Sequence, residues 1–173
     1  ILRLLACSSS ANASYMIFAL SLMSVYNLST VLFYLVTYVF MNLGVFSAII
    51  VLENSNYSTK IFEFRGFAYS NPIFTLAFAL CIFGLAGFPI TSGFIAKLYL
   101  FSAIIRSGVI FIPLLLILAL TIVISCYYYT NIVKLMFERN TVVDNEILPN
   151  KASSPIVILY TCTVITILIG VLP

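Results

Sequence analysis

Apolar stretches of twenty or more residues recur along the whole chain, interrupted by short polar clusters and without the strict alternation of a half-buried strand. As helices rising about 1.5 Å per residue, such stretches cross a hydrocarbon core of roughly 30 Å. Uninterrupted Leu, Ile and Phe runs favour helices over a β-barrel, and every backbone group in lipid must find its partner inside the protein. The pattern predicts an all-α, polytopic membrane protein, a single membrane domain over residues 1–173 with about five spans: 11–26, 28–52, 71–106, 109–137 and 155–172. Residues 1–10, with Arg3, read as a connector. Asn27 or Ser29 is the expected cap of the second helix, which stops at Glu53-Asn54-Ser55-Asn56. Residues 53–70 carry Glu53, Lys60, Glu63 and Arg65 and read as a loop with an amphipathic turn. Asn71-Pro72 opens the third span, Asn as N-cap and Pro at the first helical position, while Pro113 and Ser153-Ser154 mark the starts of the last two.

The third span is anomalous. Between Asn71 and Ile105 the only charge is Lys97, and the middle of the stretch holds Gly84, Gly87, Pro89 and Gly93, with Thr91 and Ser92 among them. One straight helix of that length would extend about 52 Å, well beyond the bilayer. Two spans, or one broken in the middle near 84–93, would each resolve this, and the basic residues choose between them because they collect on the untranslocated side. Two spans divide Arg3, Lys60, Arg65 and Arg106 from Lys134, Arg139 and Lys151, a split of 4 to 3 with no orientation signal. One broken span leaves Arg106 alone against the other six. The third span is therefore expected to be discontinuous.

Composition removes other classes. Of the residues, 63% are hydrophobic and 8% charged, whereas soluble domains have about a quarter charged. The net charge of +3 is spread over connecting segments, with no cluster dense enough to grip nucleic acid. Histidine is absent, and Cys7, Cys81, Cys126 and Cys162 lack paired spacing, so no metal, haem or iron–sulfur site is expected and the cysteines read as small hydrophobes. Phe, Tyr, Ile and Asn are abundant and Trp is absent, a bias that A+T-rich organellar coding produces. With Ile1 first and no leader-like segment before the first span, the chain is expected to be a processed, split or partial product.

Lys97 is the candidate for function. It precedes the interfacial Arg106 by nine residues, about 14 Å along a helix, which places it near the membrane midplane. A charge there costs about 2.5–3.5 kcal/mol on insertion scales, so such residues face polar interiors and mark ion or proton paths. Half-helix ends at that depth expose unpaired N–H and C=O groups able to bind ions or water. Lysine suits proton transfer, because a small change in a neighbouring charge can load or unload a buried amine. Two bland alternatives are that Lys97 snorkels to an interface, or that it lies at the rim of an aqueous loop. Asn12, Tyr15, Tyr38, Asn42, Thr91, Ser92, Ser125 and Tyr128 are candidates for holding water along a proton path, although such groups more often form interhelical hydrogen bonds or aromatic belts.

Several segments resemble a known family: Arg3-Leu4-Leu5-Ala6, Tyr34 with Met41-Asn42-Leu43-Gly44, Arg65-Gly66-Phe67-Ala68-Tyr69, the stretch Leu85 to Phe101 with its Gly87-Phe88-Pro89 and Gly93 to Lys97 pieces, and Tyr127-Tyr128-Tyr129. In order, they are similar to NADH-ubiquinone oxidoreductase chain 2, the antiporter-like membrane subunits of respiratory complex I. The resemblance implies the second repeat of an inverted-repeat fold, a C-terminal half, in which Lys97 is the lysine of an exit-side half-channel for protons. It also implies flavin, iron–sulfur clusters and ubiquinone bound by other subunits and none here, neighbouring antiporter-like and small bridging subunits with membrane lipids as partners, and a mitochondrial inner membrane, or a bacterial plasma membrane or thylakoid, as location. A separate chain is expected to supply the N-terminal half. Leu2 and Asn12 depart from the family's usual Lys and, in bacterial relatives, His. A subunit of a multisubunit cation/proton antiporter and a purely structural membrane subunit are the competing readings.

Overall fold

The computed structural model describes residues 1–22, 25–54, 65–106, 108, 111–138 and 154–172. These form α1 (Leu2–Ser21), α2 (Val25–Asn54), a one-turn α3 (Phe67–Ser70), α4 (Pro72–Ala86), α5 (Ser92–Arg106), α6 (Ile112–Phe137) and α7 (Ser154–Val171), with no strand among the described residues. Helices α6 and α7, and α2 from Asn27, are each long and apolar enough to cross a membrane. Helix α4 is as apolar but, at 15 residues, only about 22 Å long.

Burial divides the bundle into two apolar layers. One joins Leu5 of α1, Met41 to Leu52 of α2, most of α4, Tyr129 to Met136 of α6 and Leu159 of α7. The other joins Tyr15 and Ala19 of α1, Val31 and Tyr34 of α2, Ala96 to Ile104 of α5 and Leu118 of α6. Helix α4 thus packs with the later part of α2 and α5 with its earlier part, so the two lie end to end along α2. Arg65 pairs with Glu138 at 2.6 Å beyond the end of α6 that carries Lys134, while Arg106 ends α5 in the opposite layer. Lys60, Arg139 and Lys151 lie outside the described residues.

Three expectations need correction. Residues 2–10 are no connector but the first half of α1: Leu2, Leu4 and Leu5 are strong helix formers, and Ser8 is buried against α6. Asn27 and Ser29 lie inside α2 rather than capping it, and Asn27 is buried. Asn71 precedes Pro72 as foreseen but does not cap with its side chain; it is its backbone carbonyl that accepts the Thr75 hydroxyl at 2.8 Å. Of the expected loop 53–70, Glu53 and Asn54 belong to α2 and residues 67–70 form α3, while residues 55–64 lie outside the described residues.

Candidate functional site at the broken helix

Helix α4 ends because Gly87 takes the left-handed conformation (φ 84°, ψ 45°), the usual glycine C-cap, and Pro89 cannot continue the ladder. The chain crosses Phe88, Pro89 and Ile90 before α5 starts. Ile90 has φ 80°, a strained conformation for a β-branched residue. Thr91 closes the turn: its hydroxyl donates to the Phe88 carbonyl at 2.6 Å, and its own carbonyl accepts from the amides of Phe94 and Ile95.

Lys97 sits in the second turn of α5. Side chains on a helix tilt toward its N-terminus, so the amine points back at the break. There Nζ donates to the carbonyls of Leu85 at 3.0 Å and Ala86 at 2.9 Å, two of the acceptors that the end of α4 leaves open. The carbonyl end of a helix carries partial negative charge, so an ammonium is stabilised there. Lys97 is 7% exposed, its side chain packed inside the bundle. Gly87 makes room for it: a Cβ at that position would stand 2.9 Å from Nζ and 3.0 Å from Cδ. Cys126 of α6 reaches the same place, its thiol donating to the Ala86 carbonyl at 3.4 Å.

Only Gly87 and Pro89 of the predicted break residues lie in the break. Gly84 is inside α4 and Gly93 inside α5, and both serve close approach: a Cβ on Gly93 would collide with the Gly84 carbonyl, and one on Gly84 would come within 2.7 Å of Met41 Sδ. Gly170 of α7 likewise lies against the Ile90 carbonyl.

The candidate polar residues form two groups, neither bonded to Lys97. In the first, buried between the two apolar layers, Tyr34 donates to Asn12 Oδ1 at 2.7 Å, Asn12 Nδ2 donates to Ser8 Oγ at 3.3 Å, and Tyr129 donates to the same Ser8 oxygen at 2.6 Å. Tyr38 stacks on Tyr34, with ring centroids 6.4 Å apart. In the second, the hydroxyls of Tyr15 and Thr121 share a hydrogen bond of 2.7 Å, Ser125 donates to the Thr121 carbonyl, and Tyr128 donates to Ser125 Oγ at 3.2 Å. Asn42 is half-buried and outside both groups. Ser92 is buried with no hydrogen-bond partner for its hydroxyl among the described residues. Sequence reasoning did not single out Ser8, Thr121 or Cys126; a signal existed in the spacing, since Ser8 and Asn12, and Thr121 and Ser125, are four apart on shared helix faces. Cys81 lies in the apolar core and Cys126 packs against it, as expected of small hydrophobes, and each also makes a weak thiol contact, Cys81 with the Thr163 hydroxyl at 3.3 Å and Cys126 with the Ala86 carbonyl.

A bundle of apolar helices with a buried amine clipped across a broken traverse is a polytopic membrane protein built around an intramembrane charge. Residues 1–125 match the model of the NADH:quinone oxidoreductase/Mrp antiporter transmembrane family, and the chain belongs to that family. It is 40% identical over 138 residues to NADH-quinone oxidoreductase subunit N 2 of Rhizobium meliloti (strain 1021), covering 79% of this chain and 28% of that one. It is 33% identical over 162 residues to chloroplastic NAD(P)H-quinone oxidoreductase subunit 2 of Zygnema circumcarinatum, covering 94% and 32%. A protein of the same subunit 2 name from Synechocystis is 34% identical over 148 residues. The chain spans about a third or less of the length of these relatives.

Proposed function

We propose that this chain is the C-terminal half of a proton-translocating, antiporter-like subunit of an NADH:ubiquinone oxidoreductase, and that Lys97 loads and releases the proton. The observation that carries this is the burial of Lys97 at mid-traverse on the two carbonyls that end α4. The amine there is held by weak neutral acceptors rather than by a carboxylate, so it can lose its proton without leaving an unpaired counter-charge. The unpartnered Ser92 hydroxyl supports a hydrated break, because a bound water would offset its desolvation. The chain takes part as a non-redox subunit, with flavin, iron–sulfur clusters and ubiquinone held by other subunits. Its partners are neighbouring antiporter-like and small bridging subunits and membrane lipids. The organellar coding bias supports the mitochondrial inner membrane as its location.

One observation favours a second role: two hydrogen bonds from Lys97 make it a clip for the end of α4. The test is Lys97→Arg beside Lys97→Met in the assembled complex. A relay predicts that both variants assemble and both lose most proton transfer, because Arg stays charged at every working pH. A clip predicts that Arg keeps transfer intact and that Met loses assembly.

A further inference from the structure

Toward the start of α6 the exposed positions are Leu116, Ile117, Leu120, Val123 and Ile124, a surface that suits acyl chains. From Tyr127 onward they are Tyr127, Thr130, Asn131 and Lys134, and with Val123 and Cys126 these line a groove of about 470 Å³. From Lys134, in the last turn of the helix, to Val123 the groove descends about 16 Å, close to half of a hydrocarbon core of roughly 30 Å. The four polar side chains have one chemistry in common. Each offers an N–H or O–H donor, and none makes a hydrogen bond or ion pair among the described residues. The next carboxylate along the chain, Glu138, is held by Arg65 at 2.6 Å, so among the described residues the charge of Lys134 is uncompensated. Donors at this depth are costly unless something accepts from them. Their order along the groove matches one acceptor: a cation nearest the surface, then the Asn131 amide and Thr130 hydroxyl, then apolar Val123, as phosphate, ester carbonyls and acyl chain follow one another in a phospholipid. A partner's transmembrane helix would bring apolar side chains to the same depth and leave the donors unanswered.

We propose that this groove binds one anionic phospholipid, its phosphate on Lys134, its ester carbonyls accepting from Asn131 and Thr130, and an acyl chain running past Val123 onto the apolar face beyond. A zwitterionic lipid fits less well, because its own ammonium offsets the charge that Lys134 attracts. The site stands on the surface of α6 alone and does not depend on what Lys97 does. The test uses the intact complex in phosphatidylcholine nanodiscs that carry a trace of phosphatidylglycerol or of phosphatidylcholine with a diazirine in one acyl chain. After illumination, the label on α6 peptides is quantified by mass. The phosphatidylglycerol probe is expected to label α6 at least about fivefold more than the phosphatidylcholine probe, the ratio that one cation beside an anionic headgroup is worth. Lys134→Gln should bring the two probes level, and Lys134→Arg should keep the preference. Equal labelling of the wild type by both probes, a preference that survives Lys134→Gln, or no labelling because a neighbouring polypeptide covers the groove overturns the site. Should Lys134→Gln fail to assemble, competition on the wild type decides: unlabelled phosphatidylglycerol should displace the anionic probe, and equal displacement by added phosphatidylcholine overturns the site. Lipid occupancy is read without reference to proton transfer, so a failure here is distinct from a failure of the role given to Lys97.

Discussion

At the residue scale the site depends on an atom that is missing. Gly87 lets the backbone turn left-handed and leaves the space where the Lys97 amine lies. Gly87→Ala imposes both a strained φ, worth about 1–2 kcal/mol, and a Cβ against the amine. Gly87→Asn tolerates the φ better but crowds the amine equally. Proton transfer is therefore expected to fall in both variants, while the loss of thermal stability in detergent is smaller for Asn; equal transfer in Asn and wild type would show that the amine does not need this space. Ser8 is the other sensitive atom, because it accepts from Asn12 and Tyr129 together. Ser8→Ala should cost about 0.6–2 kcal/mol, the range for interhelical hydrogen bonds in membranes. Ser9→Ala, on an exposed hydroxyl bonded only to its own helix, should change stability by less than about 0.5 kcal/mol.

At the scale of elements, two half-helices can form one traverse only if something holds their ends in register. Three contacts do so: the Lys97 amine on the end of α4, the backbone approach of Gly93 to Gly84, and the packing of Gly170 of α7 on the turn between them. Gly93→Leu drives a side chain into the Gly84 carbonyl and should lower stability by about 1–3 kcal/mol or more, read as a drop in the unfolding midpoint with loss of assembled complex. Both glycines were expected in the break itself, because a glycine in a helical pattern signals interruption from sequence alone. Their function is contact between helices, and a contact cannot be read from one strand of the pair.

For the whole molecule, one buried hydrogen-bonded group ties three helices together, Asn12 and Ser8 of α1 joining Tyr34 of α2 and Tyr129 of α6. The ends of the bundle have opposite fates. Cysteines introduced at Arg65 and at Lys134 should react with an impermeant thiol reagent from one side of the membrane, and a cysteine at Arg106 from the other. Reaction of all three from a single side would refute the single broken traverse. The Arg65–Glu138 pair is about half exposed, so Arg65→Ala should shift stability by less than about 1 kcal/mol.

Much of this was legible in residue order alone. Composition and run length determine an all-α membrane protein, because in lipid the backbone has so few ways to satisfy itself. One charge in a long apolar stretch singles out Lys97, and helix rise converts its nine-residue separation from Arg106 into a distance of about 14 Å. Gly87 and Pro89 give the break, because both act on the local backbone. What residue order could not supply was partnership. That the amine binds the end of α4, that Ser8 joins a tyrosine 121 positions away, and that the Cys126 thiol reaches the carbonyl under Lys97 were decided only when the helices packed. Hydrogen bonds between helices depend on register and rotation about each axis, and those are set by all the contacts at once.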